Sequence, residues 1–323
     1  MSYGEKQYRF AAIADVHIDL ENGGKNIYFV HAEKNFRKAL DVIRQHDCAF
    51  VVNVGDVVTN ASGAEEEWRL YRDIIESSGY GGQIFEAMGN HETRFAQYGG
   101  CSIAACRDEF IRYTRLSQKP VQRPDGKTYY AYTDDTFGDA FIFLSLENGV
   151  NTNEIDNFSA EQMDWAEETI LRFRREKRRI FLLQHAPLYG CGTGDDKTAP
   201  AYEGSIRLTD RQGKPFPGNS RFDRLIHEYR DLIWLSGHTH LDFRDKRNCS
   251  VGGTDTCRML HIPALAGSTR LLRTENGYTL DRTFYDDAAQ GYIADAFEDR
   301  VIFRGIDFLS GRFYPAYEYL IDR

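Results

Sequence analysis

The first apolar run of the chain alternates too little for a half-buried strand. Tyr8-Arg9-Phe10-Ala11-Ala12-Ile13-Ala14 is apolar at nearly every position, the pattern of a strand covered on both faces. Cys48-Ala49-Phe50-Val51-Val52-Asn53-Val54 repeats it, and Gln83-Ile84-Phe85-Glu86-Ala87-Met88 reads as a third strand. Between these runs the period changes. Residues 31–45 carry Phe36, Leu40 and Ile43 at helical spacing, and Ala64 to Ser77 predicts a second helix that the glycines of 79–82 break. Strand, helix, strand, helix, strand in that order predicts right-handed crossovers and a layered α/β architecture.

Further along, Cys106 to Leu116 predicts a helix, and Tyr129–Tyr132 and Phe141–Leu146 predict strands of a second sheet. Ser159 opens a helix that reaches Lys177, with Gln162 completing a capping box. The basic run Arg172, Arg174, Arg175, Lys177, Arg178 and Arg179 at its end reads as a solvated face that complements the helix dipole. Ile180–Leu183 and Leu232–Leu235 are short buried strands flanking a helix from Phe222 to Tyr229. The polar, Gly-rich stretch Gly190–Asn219 is long for a connector, and such loops are often functional. From Leu241 to Arg323, alternation with turn signals at Gly252-Gly253 and Asn276-Gly277 predicts antiparallel strands that complete the second sheet. No repeat or linker divides the chain, so residues 1–323 read as a single domain.

Composition narrows the class. With 323 residues, 41% hydrophobic and 28% charged, the chain can bury a sizeable core as a globular protein. Its net charge of -9 opposes a broad basic docking face, so neither nucleic acid nor a membrane is an expected partner. No run is apolar enough to span a bilayer, and the N-terminus lacks a signal-peptide core, so the expected location is the cytoplasm. The six cysteines contain no C-x-x-C pair and read as reduced thiols, with a Cys249–Cys257 bridge across a hairpin left open.

The chemistry gathers at strand ends. Five predicted strands run into Asp15-Val16-His17, Gly55-Asp56, Gly89-Asn90-His91-Glu92, Gln184-His185 and Gly237-His238-Thr239-His240. A lone Asp after a strand is ordinarily a cap. Caps need no imidazoles, however, and five of the nine histidines stand at these ends; His31, His46, His227 and His261 read as ordinary surface or core residues. Mixed N and O donors on the carboxyl rim of a sheet suit zinc, iron or manganese. One carboxylate can bridge two such ions held ~3.5–4 Å apart, the spacing that clamps attacking and leaving oxygens in phosphoryl transfer.

This ordered set, running from residue 15 to residue 240, resembles the calcineurin-like metallophosphoesterase superfamily. The resemblance implies an α/β fold, a four-layer αββα sandwich of two mixed sheets, with two divalent or transition metal ions (Mn, Fe, Zn or a mixed pair) at the rim. It gives Asp15, His17 and His240 to one metal, Asn90, His185 and His238 to the other, and Asp56 to both. It implies a metal-bridging water as nucleophile. The resemblance further implies that His91 stays off the metals, stabilises the transition state and protonates the leaving oxygen, and that Glu92 supports the His91 turn, with an ordinary helix-start carboxylate as the alternative for Glu92. Thr59 stands where purple acid phosphatases have a tyrosine, and Val57-Val58-Thr59-Asn60 departs from the protein Ser/Thr phosphatases. The pattern fits better with small phosphodiesterases and phosphomonoesterases, including those resembling class III cyclic-nucleotide phosphodiesterases, and the expected partner is a small phosphoester. Tyr189, Tyr202, Arg207, Arg211 and the stretch around Asn60 are candidates for a pocket wall; an exposed, unremarkable loop is the alternative. A nuclease of the same fold and a non-catalytic binding scaffold are the competing functions. The first lacks a basic groove, and the second would be expected to have lost ligands or the His91 equivalent.

Overall fold

A computed structural model describes residues 5–20, 29–59, 65–97, 99–134, 138–149, 154–190, 205–243, 255–274, 277–285 and 288–323. Asn60, Tyr202, Cys249 and the Gly252-Gly253 turn lie outside these residues. Strands β1 (Tyr8–Ile13), β2 (Phe50–Asn53) and β3 (Gln83–Glu86) are parallel neighbours, linked through helices α1 (Ala32–Gln45) and α2 (Glu65–Ser77). After the short α3 (Arg94–Gln97) and α4 (Ile103–Tyr113), a second sheet is built from β4 (Tyr130–Asp134), β5 (Asp139–Phe143), β6 (Arg179–Leu183), β7 (Ile233–Ser236) and β8 (Arg258–His261). Helices α5 (Ala160–Arg175) and α6 (Pro217–Glu228) make its crossovers. A hairpin of β9 (Ser268–Thr274) and β10 (Gly277–Tyr285) precedes β11 (Gln290–Ala296), β12 (Arg300–Asp307) and β13 (Arg312–Asp322).

The two-residue period of the strands explains the layers. On β5, Phe141 and Phe143 join the core shared with the first sheet, whereas Ala140 and Ile142 face the cluster containing Met163, Ile170 and Phe173 of α5 and Phe222 and Ile226 of α6. Between the sheets the contact is aromatic. Phe10 meets Phe141 and Phe181 edge-on at 5.5 and 5.7 Å between centroids, and Phe50 meets Phe141 at 5.2 Å. Helices α1, α2 and α4 pack on the outer face of the first sheet, which gives the order αββα with two mixed sheets.

The C-terminal strands do not complete the second sheet. Only β8 joins it, while β11, β12 and β13 extend the first sheet as an antiparallel meander, in the order β13-β12-β11-β1-β2-β3. Alternation marks these segments as strands but carries no address. The physical reason lies in β1, whose uninterrupted apolar run suits an interior strand; β11 pairs along its otherwise open edge, Tyr8 opposite Ala296 and Ala12 opposite Tyr292.

Helix ends differ from expectation where caps decide them. α4 begins at Ile103, three residues before the predicted Cys106, because the Ser102 hydroxyl accepts from the Ala105 amide at 3.1 Å. α6 begins at Pro217 within the predicted Gly190–Asn219 loop, since proline suits the first helical turn. At α5, Ser159 caps as expected, but the Gln162 side chain turns away to bridge the Ser145 amide and carbonyl, so only half of the capping box forms. Arg179 departs from the solvated basic run: it is buried against Asp139, which also accepts from the Tyr8 hydroxyl. Among the described residues no helix is long and apolar enough to cross a membrane.

Asp295 on β11 ties the C-terminal meander to β1 and β12. It accepts from Arg9 Nε at 2.7 Å and Nη2 at 3.1 Å and pairs with Arg304. Burial alone would raise its carboxyl, but Arg9 and Arg304 outweigh that and hold it below the usual range. A depressed folded-state pKa contributes stability above the unfolded-state value and loses it as pH falls through the folded value. Asp295→Asn is therefore expected to lower stability at neutral pH by about 1–3 kcal/mol. The gap should narrow as pH drops below about 4. Urea denaturation across pH measures both.

Candidate metal centre

Every predicted strand end reaches one rim, and the backbone there is strained. Asp15 (φ 53°), His17 (46°), Asp56 (53°), His238 (76°) and His240 (57°) all occupy the left-handed region. Each such residue costs about 1–3 kcal/mol and persists only where its surroundings over-determine it. Here the loops brace one another: the Asp15 amide donates to Gly55 O at 3.0 Å, His17 to Asp56 O at 3.0 Å, and Gly237 to His185 O at 2.8 Å. Glycine is required where backbone passes a carboxylate. A Cβ on Gly89 would lie 2.3 Å from Asp56 Oδ1, and one on Gly237 would lie 2.7 Å from Asp15 Oδ2.

The side chains converge in two groups, which a third made of His17, Asp56 and His91 links. Asp15, His17 and His240 present donor atoms within 4.8 Å of one another, and so do Asp56, His185 and His238. Asp15 Oδ1 lies 3.2 Å from His240 Nε2 and 3.7 Å from His17 Nε2. Asp56 Oδ2 lies 2.9 Å from His185 Nε2 and 3.7 Å from His17 Nε2, so this carboxylate stands between the groups. Tautomers follow from the far ring nitrogens. His185 Nδ1 faces Val54 O at 2.9 Å and His240 Nδ1 faces Gly267 O at 2.8 Å. Carbonyls only accept, so each Nδ1 holds a proton and each Nε2 is the nitrogen that faces inward, where it can offer a lone pair to a metal once its own proton has left.

These residues fit a pair of cations. Asn90 stands where an asparagine normally caps a helical turn, yet its side chain makes no cap hydrogen bond and its Oδ1 is buried without a partner. His185 Nε2 lies 2.9 Å from Asp56 Oδ2, so both face the same pocket. Electrostatics agree. Burial would raise Asp15 and Asp56, but neighbouring histidines hold both well below the carboxylate range, chiefly His240 for Asp15 and His185 for Asp56. Burial would lower His185, yet Asp56 pushes it up to about 9. The pocket between the two carboxylates thus attracts positive charge, and oxygen with imidazole donors suits divalent first-row metals.

His91 differs from the others. Its side chain keeps 18% exposure, and Nε2 stands 3.9 Å from Asp56 Oδ2. Its Nδ1 lies 3.0 Å from Thr59 O, its amide donates to Asp56 Oδ1 at 2.9 Å, and Arg94 Nη1 lies 3.3 Å from the ring. It also shares a donor cluster with His17 and Asp56. Burial, only partly offset by Asp56, pushes its imidazole down to about 3.

Glu92 has a definite place. Its buried carboxylate accepts from the amides of Gly89 at 2.6 Å, Val57 at 2.7 Å, Asp56 at 3.2 Å and Val58 at 3.3 Å. It therefore pins the loop after β2 to the loop after β3. Burial, then Asp56, pushes its carboxyl upward, while the amides of Val57 and Gly89 pull it back and favour the carboxylate.

Three supporting residues escape a reading of the sequence. His261, expected to be an ordinary residue, is buried at the end of β8 with Nε2 2.6 Å from Thr239 Oγ1. It anchors the threonine between His238 and His240. Phe29 stacks on the His17 ring at 4.3 Å between centroids. The only signal for Thr239 was its place inside the histidine pair; His261 and Phe29 had none, because fold alone brings them in. Of the proposed pocket wall, Arg207 stacks on Tyr189 at 4.6 Å and Arg211 pairs with Glu154.

The family model for calcineurin-like phosphoesterases matches residues 8–242. No curated protein matches the chain by sequence. A dimetal phosphatase from Danio rerio aligns over 98% of this chain and 99% of its own, at 12% identity and a TM-score of 0.62. A purple acid phosphatase from yellow lupin (Lupinus luteus) seeds aligns over 98% of this chain and 54% of its own, at 16% identity and a TM-score of 0.62. At these identities the likeness is one of fold.

Glu92→Gln keeps the shape but sets an amide NH2 against backbone donors. It is expected to cost about 1–3 kcal/mol, measured by urea denaturation, and to lower the content of metal at both positions together, measured by elemental analysis.

Proposed function

The chain belongs to the calcineurin-like phosphoesterase family, and from that membership we propose that it hydrolyses small-molecule phosphodiesters or phosphomonoesters at a two-metal centre. The observation that carries this reading is the placement of Asp56 between two ligand groups, with His91 on the open side. In this reading Asp15, His17 and His240 would hold one ion, Asn90, His185 and His238 the other, and Asp56 would serve both. Two divalent ions held by these residues would supply charge neutralisation of the phosphoryl group and acidify a bound water.

The chain's own residues supply the rest. The carbonyls of Val54 and Gly267 fix the rings of His185 and His240, so the ligands are oriented before any ion arrives. Thr59 O holds His91 Nδ1, which aims Nε2 toward the centre. Burial keeps the ring neutral with its proton on Nδ1, and an anionic phosphoryl group beside Nε2 opposes that effect, so Nε2 takes up a proton as substrate binds, donates it to the phosphoryl group and passes it to the leaving oxygen. Thr59 also donates to His17 O at 3.3 Å, so the residue in place of the purple acid phosphatase tyrosine serves the backbone. That supports a centre without an iron–tyrosinate bond.

The test is hydrolysis of chromogenic mono- and diesters by protein loaded with Mn, Fe or Zn, with and without chelator. Activity should vanish on full metal removal and return on reloading; activity that survives removal overturns the reading. His91→Ala should keep both metals by elemental analysis while kcat falls about 10²–10⁴-fold. Loss of metal in that variant would instead make His91 a ligand.

A further inference from the structure

In the sequence the cysteines read as reduced thiols with a Cys249–Cys257 bridge left open; Cys48 and Cys257 are buried. Cys101 and Cys106 are free, but their sulfurs lie 3.1 Å apart, inside ordinary van der Waals contact. The cause is the start of α4. Ser102 is its N-cap, with extended backbone (φ -88°, ψ 156°) and a hydroxyl that accepts from the Ala105 amide. Cys101 is then the residue before the cap and Cys106 the fourth of the helix. These two positions pack together in a hydrophobic staple. Here both partners are thiols, so their meeting follows from helix geometry rather than from a choice of rotamer.

Their surroundings differ in access. Cys101 is half-buried, whereas Cys106 is buried, and burial followed by the hydrogen bond to Cys101 pushes its thiol up to about 12. Attack from solvent must begin at Cys101. The pair also stands at a junction. The backbone of Ala96 in α3 reaches the Cys106 sulfur, and the Gly100 amide donates to Phe95 O at 3.1 Å. Gly100 lies under the Phe95 ring, where a Cβ would come within 2.1 Å of Cζ. Residues 94–101 connect the His91 turn to α4, and the two sulfurs hold the far end of that connection.

We propose that Cys101 and Cys106 form a redox site, a dithiol that oxidises reversibly to an intramolecular disulfide without unfolding and braces the segment between the His91 turn and α4. A low-molecular-weight disulfide such as oxidised glutathione is the oxidant. The Cys101 thiolate attacks one of its sulfurs, forming a mixed disulfide and expelling one thiolate. Cys106 then releases its proton and attacks the Cys101 sulfur, and the second small thiol leaves. The protein loses two protons and two electrons, and the oxidant takes them up to become two thiols. The site is independent of the metal ligands, so its test does not depend on the reaction proposed above.

The full chain is incubated with oxidised glutathione under native conditions and analysed by intact mass and peptide mapping. The mass should fall by two hydrogens, one peptide link should join Cys101 to Cys106, and dithiothreitol should reverse both. The melting temperature of the oxidised form should rise by about 3 °C. Cys106→Ser should stop at a single glutathione on Cys101, and Cys101→Ser should show no linkage at Cys106. A stable glutathione adduct on Cys101 of the unaltered chain, linkage of either cysteine to a different one, or survival of both thiols would overturn the proposal. An unchanged or lowered melting temperature of the linked form would overturn the brace. Because the mapping is done on the unaltered chain, the outcome does not rest on the folding of a variant.

Discussion

Asp56 is a carboxylate kept charged where there is no water to solvate it. Its Oδ2 lies within 4 Å of His17, His91 and His185, its Oδ1 accepts the His91 amide, and its own amide is held by Glu92. A buried anion is stable only when partners surround it. The loops after β1, β2, β3 and β6 are therefore positioned by one requirement, the supply of positive charge and N–H donors to this residue. The left-handed backbone at Asp15, His17, Asp56, His238 and His240 is the cost of bringing such partners together from separate strands.

Glu92 makes the arrangement rigid from below. Four amides from two loops meet on one carboxylate, so the loop that carries Asp56 cannot shift without moving the turn that carries Asn90 and His91. Beneath the rim, the aromatic contact of Phe10 and Phe50 with Phe141 and Phe181 fixes the two sheets against each other. The second sheet brings His185, His238 and His240 to meet Asp15 and Asp56 of the first. The packing between sheets and the geometry at the rim are thus one problem, since a shift of either sheet would separate the donor atoms.

Much of this was legible in the chain. Continuous apolar runs identified the central strands, and their polar ends identified the residues that converge. What escaped was whatever depends on direction in space. The strands after Leu241 were legible as strands, but their sheet was decided by the open edge of β1. Gln162 has the spacing of a capping box, yet Ser145 and Glu147 offer its amide better partners. His261 looks like any core histidine until β8 brings it beside Thr239.

By itself, the sequence determined which side chains stand at strand ends, because the apolar period and its interruption by Gly, Asp, Asn and His are local properties. Only the tertiary structure decided which ends meet. It set Asp56 between two groups, turned ring nitrogens outward to Val54 O and Gly267 O, and joined the C-terminal meander to β1. Those outcomes depend on sheet order and on the packing between layers, which no stretch of chain contains.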